Sequence, residues 1–146
     1  MSKTYSLSDF HHQTSINVRF RDLDILNHVN NAVFSTYFEE ARIRFIQAIP
    51  EFNKSMSEGH SFVLVHLDLN FMKPVLYGDD IIIGSSIKSI GNSSVIGIQA
   101  IFSGKDHTVK AVAETTGVWF NLKQEKPAKL PEISNLDQYI YTKTDG

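Results

Sequence analysis

The 146-residue sequence predicts an α+β domain, with one amphipathic helix lying against a curved antiparallel sheet of five strands. Three observations carry that reading. Apolar residues recur at helical spacing between Asn30 and Pro50. Four long runs rich in β-branched and aromatic residues come after it, each closed by turn residues. A two-residue separator, Gly91-Asn92, joins two of those runs and argues for an antiparallel hairpin. The resulting order is β-α-β-β-β-β.

The first strand rests on Ile16, Val18 and Phe20 alternating with Asn17, Arg19 and Arg21, the period of a half-buried strand. Residues Arg21 to Val29 are mixed and aperiodic, which makes them a loop. From Asn30 the spacing changes. Val33, Phe34, Tyr37, Phe38, Ala41, Phe45, Ala48 and Ile49 form a stripe along a helix of about five turns. Asn30 or Asn31 caps its start, and Pro50 ends it. Glu40 and Arg44 stand one turn apart on the wetter side and can pair for about 0.2–0.5 kcal/mol.

The four later runs are His60–Met72, Asp80–Ile90, Ser93–Phe102 and Thr108–Leu122. Pro74 to Asp79, Gly91-Asn92 and Gly104 to His107 separate them with turn chemistry. The apolar side of such a sheet needs a partner layer, and the helix supplies it. The expected bounds are a tail over 1–13, one domain over 14–122, and a loosely attached tail over 123–146. Pro131 could open a short helix in that last segment. His11 and His12 read as tail residues, and His60 and His107 as turn residues.

Composition removes whole classes of function. With 14 basic and 16 acidic side chains the net charge is −2, which gives no footprint for nucleic acid or anionic membrane. The sequence has no cysteine, which excludes a disulfide scaffold, a thiolate zinc site and a cysteine nucleophile. No apolar run approaches the roughly 20 residues of a membrane helix. The polar start, MSKTYSLSDFHHQ, lacks the apolar centre of a signal peptide. A soluble cytoplasmic protein is the expectation.

Chemistry concentrates in the loop entering the helix, Arg21 to Asn31, where two aspartates, one histidine and three asparagines crowd together. A helix N-terminus offers unpaired N–H groups and a partial positive charge. It can polarise a carbonyl oxygen while a carboxylate beside it attacks or activates water, which suits acyl transfer or hydrolysis. The plainer reading is that Asp and Asn merely cap a turn and a helix.

The string Asp22-x-Asp24-x-x-x-His28-Val29-Asn30-Asn31, followed by Phe38-Glu39-Glu40-Ala41-Arg42, resembles the signature of hotdog-fold thioesterases. It is most similar to the 4-hydroxybenzoyl-CoA thioesterase-like branch, which includes long-chain acyl-CoA and plant acyl-ACP thioesterases. A second string, Phe71-Met72-Lys73-Pro74-Val75-x-x-Gly78-Asp79, falls where that family joins its second and third strands. With the strand pattern, the resemblance spans residues 15 to about 122. It implies a hotdog fold, in which the sheet wraps a long central helix. It also implies an acyl-CoA thioesterase that cleaves a fatty or aromatic acyl thioester to free acid and CoA. Asp24 matches the catalytic carboxylate, as nucleophile or general base. His28 matches a histidine that some members place beside it, and the Asn31 N–H matches the donor polarising the thioester carbonyl. Asp22 falls to a loop or capping role.

Three positions depart from the pattern. Asn27 stands where many members have glycine, and asparagine tolerates left-handed backbone angles. Phe34 replaces a tyrosine. Asn70 lies where acyl-ACP thioesterases supply a glutamate, which counts against a glutamate-assisted mechanism.

In the second strand, Val63, Val65, Leu67, Leu69 and Phe71 alternate with Leu64, His66, Asp68 and Asn70. The polar side is either a solvated face or a subunit interface; the resemblance favours the interface, within a homodimer or homotetramer. His66 and Asp68 lack a third ligand for a metal. Substrate contacts are assigned to Asn30, Phe34 and Asn70, with Tyr37 and Phe38 given to the core. Lys88 and Ser94, with Ser93 and Lys105, are candidates by position for the phosphates of coenzyme A. The chemistry requires no metal or redox cofactor. Two other readings stay open: a non-catalytic acyl-thioester binding protein on the same fold, and a hotdog enoyl-thioester hydratase.

Overall fold

A computed structural model describes residues 5–143. Its elements are β1 (His12–Ile16), α1 (Asn31–Ala48), α2 (Pro50–Ser57), β2 (His60–Phe71), β3 (Ile81–Ile90), β4 (Ser94–Ser103), β5 (Val109–Asn121) and the two-residue β6 (Lys126–Pro127). The sheet runs β1-β3-β4-β5-β2, antiparallel throughout, with β6 added to β5. The expected single helix and its sheet are present, and α1 lies on β1, β3 and β4.

The α1 stripe is buried as its spacing requires. Phe34, Tyr37, Phe38 and Ala41 meet Ile81, Ile83, Ile101 and Ala111 in one cluster. Phe45 and Ile49 join Phe52, Trp119, Leu130 and Tyr139 in a second. Pro50 does end α1, but it also occupies the first turn of α2, where its missing N–H costs nothing. The sequence reading has no α2, because eight residues give too few turns for a visible period.

The first strand is displaced from its expected place. Pairing with β3 stops at Ile16 opposite Ile81, and Phe20–Asp22 forms a 3-10 turn instead. Burial still alternates through Thr14 and Val18, but Phe20 is exposed. Thr14, being polar, hides the true strand from a hydrophobicity pattern. The β3–β4 connection is also longer than two residues, since Ile90 pairs with Val95.

A bulge corrects the reading of β2. Register slips between Leu64 and His66, so Leu64 pairs with Gly117 while Leu67 pairs with Thr115. One extra residue reverses the side-chain alternation. Phe62 and Leu64, not Val63 and Val65, therefore share the inner face with Leu67, Leu69 and Phe71; the Phe62 ring lies 4.7 Å from that of Trp119.

Both segments read as tails pack on the sheet. Phe10 is buried with Ile98, Ala100, Phe102 and Val112 on the face opposite α1. Leu130 and Tyr139 are buried in the second cluster, and Tyr141 N–H donates to Ile87 O at 2.7 Å. The short helical segment falls at Leu136–Tyr139, not at Pro131. His12 and His60 lie in strands, the latter stacked on Trp119, while His107 is a turn residue with φ 59°.

Candidate active site

The loop between β1 and α1 folds as a miniature hairpin. Asp24 N–H donates to His28 O at 2.8 Å, Asn30 N–H donates to Asp22 O at 2.8 Å, and Leu23 bridges Val29 between them. Asn27 closes the turn, its N–H donating to Asp24 O at 3.0 Å with φ at 61°. A type I turn followed by one left-handed residue makes this kind of short connection, and asparagine accepts that conformation. Asn27 therefore serves where a glycine would.

The second sequence string docks on the first. Val29 N–H donates to Val75 O at 2.8 Å, and His28 bridges Leu76. The loop is thus clamped to the β2–β3 connection, whose Val75 is fully buried.

Asp22 anchors the loop from beneath. It is only 2% exposed. Its carboxylate accepts from Tyr37 Oη at 2.6 Å, from Arg19 Nη2 at 2.9 Å and from Arg19 N at 3.0 Å. Burial opposes the charge on Asp22, but the hydrogen bonds from Arg19 and Tyr37 outweigh it and hold the carboxyl below the usual carboxylate range. Burial, and then the neighbouring carboxylate, push the Tyr37 phenol upward. The sequence reading gives Asp22 a loop or capping role, and no period links it to Tyr37, 15 residues on.

Asp24 is half-buried and differently held. Its Oδ1 accepts from Leu26 N at 2.9 Å and His28 N at 3.2 Å. Its other oxygen has no hydrogen-bond partner among the described residues and is free for chemistry. The His28 imidazole makes no hydrogen bond to that carboxylate; only the His28 backbone does.

At the helix start, Asn30 is the cap. Its side chain accepts from Ala32 N at 2.9 Å, and its carbonyl accepts from Val33 N at 2.8 Å. Among the described residues, Asn31 N–H has no acceptor. The first turn of α1 therefore presents one free donor, with the helix dipole behind it.

The remaining assigned residues do not gather here. Phe34 is buried in the core with its ring 5.2 Å from that of Phe71. Asn70 is exposed on the outer face of β2 and donates to Asp68 at 3.2 Å. Lys88 pairs with Glu114 at 2.8 Å, near the far end of β3 from the segment that clamps the loop. From Ile81 to Lys88 that strand runs roughly 20 Å. Ser94 opens β4 at the same far end.

The chain also holds a cavity of ≈ 370 Å³ between α1, α2 and strands β2 to β5, bordered by Gly97, Gln99, Thr115 and Gly117 among others. The sequence reading has none of these four; glycines inside two strands were the available signal. Among the described residues, no group of three His, Asp or Glu is placed to hold a metal, and no helix is long and apolar enough to cross a membrane.

Comparison with known proteins finds a family and several relatives. A model of the thioesterase-like superfamily matches residues 18–134. The long-chain acyl-CoA thioesterase FadM of Escherichia coli K12 is 32% identical over 118 residues, covering 81% of this chain and 89% of that protein. A chloroplastic acyl-acyl carrier protein thioesterase of Arabidopsis thaliana, ATL3, is 25% identical over 86% of this chain and 65% of its own length. Among solved structures, a thioesterase from Thermus thermophilus, complexed with coenzyme A and Zn, is 38% identical with a TM-score of 0.72, covering 85% of this chain and 88% of that one.

Proposed function

The chain belongs to the thioesterase-like superfamily, and from that premise we propose its chemistry: hydrolysis of an acyl-CoA thioester by water, with Asp24 as the catalytic carboxylate. The observation that carries this is the pairing of one free carboxylate oxygen on Asp24 with one free N–H on Asn31, at the two ends of a single clamped loop. The Asn31 N–H and the α1 dipole stabilise the oxyanion that forms as the thioester carbonyl is attacked. Asp24 supplies the attack, directly or by taking a proton from water. His28 positions Asp24 through its backbone N–H. Asn30 holds the helix start in shape.

The working unit is a homo-oligomer built on β2. That strand is a 12-residue sheet edge whose Val63, Val65, Leu67 and Phe71 are exposed. Long apolar edges in soluble proteins are covered, and a second copy pairing along β2 would cover this one. Pairing would also bring Asn70, Asp68 and His66 to an interface. Cell fractionation tests the cytoplasmic location that goes with an acyl-CoA substrate.

The test of the chemistry is thiol release from a panel of acyl-CoA esters by wild type and by Asp24→Asn. Wild type should release thiol, and the variant should lose about 10²–10⁴-fold with its fold intact. Near-wild-type activity in the variant removes Asp24 from the mechanism. Saturable binding without turnover favours the binding-protein reading, and water addition with the thioester left intact favours the hydratase.

A further inference from the structure

We infer that Lys110 is a positioning residue for the site: it ties the two ends of the β2–β3 connection together, and so sets where Asp24 and the Asn31 N–H stand. This rests on the thioesterase reading above and adds to it a residue outside the Asp24 loop.

A bulge aims Lys110. Ile101 pairs with Ala111 but Phe102 pairs with Val109, so β5 carries one extra residue between those two pairs. Val109 accordingly packs on the cluster that holds Val112, three positions on, which regular alternation forbids. As the extra residue on the β4 side, Lys110 turns to the connection. Its carbonyl accepts from Met72 N at 2.9 Å and from Lys73 N at 3.0 Å, where the connection begins. Its ammonium lies 4.0 Å from Asp79 Oδ2, where the connection ends.

Asp79 is buried and held from a second side. Its Oδ1 accepts from Ser103 Oγ at 2.9 Å, and that oxygen accepts from Lys105 N at 3.2 Å. The carboxylate is thus fixed to the β4–β5 hairpin on one oxygen and faces the ammonium on the other. Both partners of the ion pair are largely shielded from water, so their attraction is screened less than that of a surface pair. Asp106 also lies in the field of Lys110, but its Oδ1 is already taken by Thr108 N–H and Thr108 Oγ1.

Between the anchored ends stand the residues that clamp the loop. Asp79 N–H donates to Leu76 O at 3.1 Å, and Gly78, with φ at 87°, fills the position where a type II turn requires positive φ. One turn therefore links the ion pair to Leu76, which bridges His28, and to Val75, whose carbonyl receives Val29 N–H at 2.8 Å. His28 N–H in turn holds Asp24 Oδ1 at 3.2 Å, and Asn31 follows two residues after Val29. Releasing Asp79 lets this clamp shift. A displacement of about 1 Å at reacting groups costs up to about 10²-fold in rate.

The experiment uses Lys110→Met, which removes the ammonium and keeps the carbonyl that holds Met72 and Lys73. The first readout is NMR-resolved hydrogen exchange. The Val29 and His28 amides should exchange at least about fivefold faster, while Ile83 and Ile101 in the sheet keep wild-type rates. The second is kinetic, with the acyl-CoA ester that wild type cleaves fastest: kcat should fall about tenfold and KM should stay within about twofold. Lys110→Arg, which keeps the charge, should restore both. If Lys110→Met does not fold, Ser103→Ala frees Asp79 from the hairpin and is read by the same two measurements. Unchanged Val29 exchange, equal acceleration throughout the sheet, a rise in KM alone, or no recovery with arginine overturns the inference, while Asp24-dependent thiol release still upholds the thioesterase. Absence of that release instead removes the thioesterase reading, and the exchange rates still judge the tie between Lys110 and the loop.

Discussion

The two aspartates of one short loop do opposite jobs because their surroundings differ. Asp22 spends its carboxylate on Tyr37 and Arg19, whereas Asp24 keeps one oxygen free. Removing the phenol that faces Asp22 tests the first role. Tyr37→Phe deletes a buried hydrogen bond to a charged group and should cost about 1.5–3 kcal/mol in urea denaturation. The sign of the pH effect follows from the Asp22 carboxyl lying below its usual range. Its stabilisation is complete above the unfolded value of about 3.9 and disappears as pH falls through the lower folded value. Acid titration of stability should therefore show a loss beginning near pH 4, and a shallower one in Tyr37→Phe. Equal acid sensitivity in both proteins would remove this bond from the account.

Elements in this fold are held by what crosses them as much as by their own propensities. Gly84 in β3 lies under Phe10, and a Cβ added there would stand 2.5 Å from Phe10 Cγ. Gly84→Ala should therefore lift the N-terminal segment off the sheet and cost about 1–3 kcal/mol, with new protease cleavage near residue 10. A variant as stable and as resistant as wild type would mean that Phe10 is not packed there. The bulge in β2 has the converse effect, turning Leu64 inward toward the cavity and leaving Val65 outward and 58% exposed. That single slip decides which β2 side chains lie on the inner face of the sheet and which on the outer.

For the whole molecule, the proposal to test is assembly along β2. A second copy placed along β2 would bury the exposed valines and leucine and bring two Asp24 loops into one particle. Val65→Lys puts a charge in the middle of that edge and should convert the oligomer to a monomer in sedimentation velocity. A wild-type monomer, or an oligomer that survives the lysine, would place the interface elsewhere. Exposed Ile25 and Leu26 at the loop tip stay outside this prediction.

The sequence by itself determined the order of the long helix and the five main strands, the bounds of four strands to within a residue or so, and the loop that holds Asp24. These are local properties. Helical and strand spacing, turn chemistry and capping act over a few residues, so α1 and the runs from His60 onward are visible without a fold. Only the tertiary structure decided what lies between elements. Tyr37 meeting Asp22, Val75 clamping the loop, Phe10 covering Gly84 and the tail burying Leu130 are contacts made across long stretches of chain. The β2 bulge belongs with them, since register is set by the partner strand and not by the strand's own alternation. So does the cavity, a gap whose walls come from two helices and four strands. Spacing along the chain names the residues that can do chemistry; packing fixes which of them are free to do it.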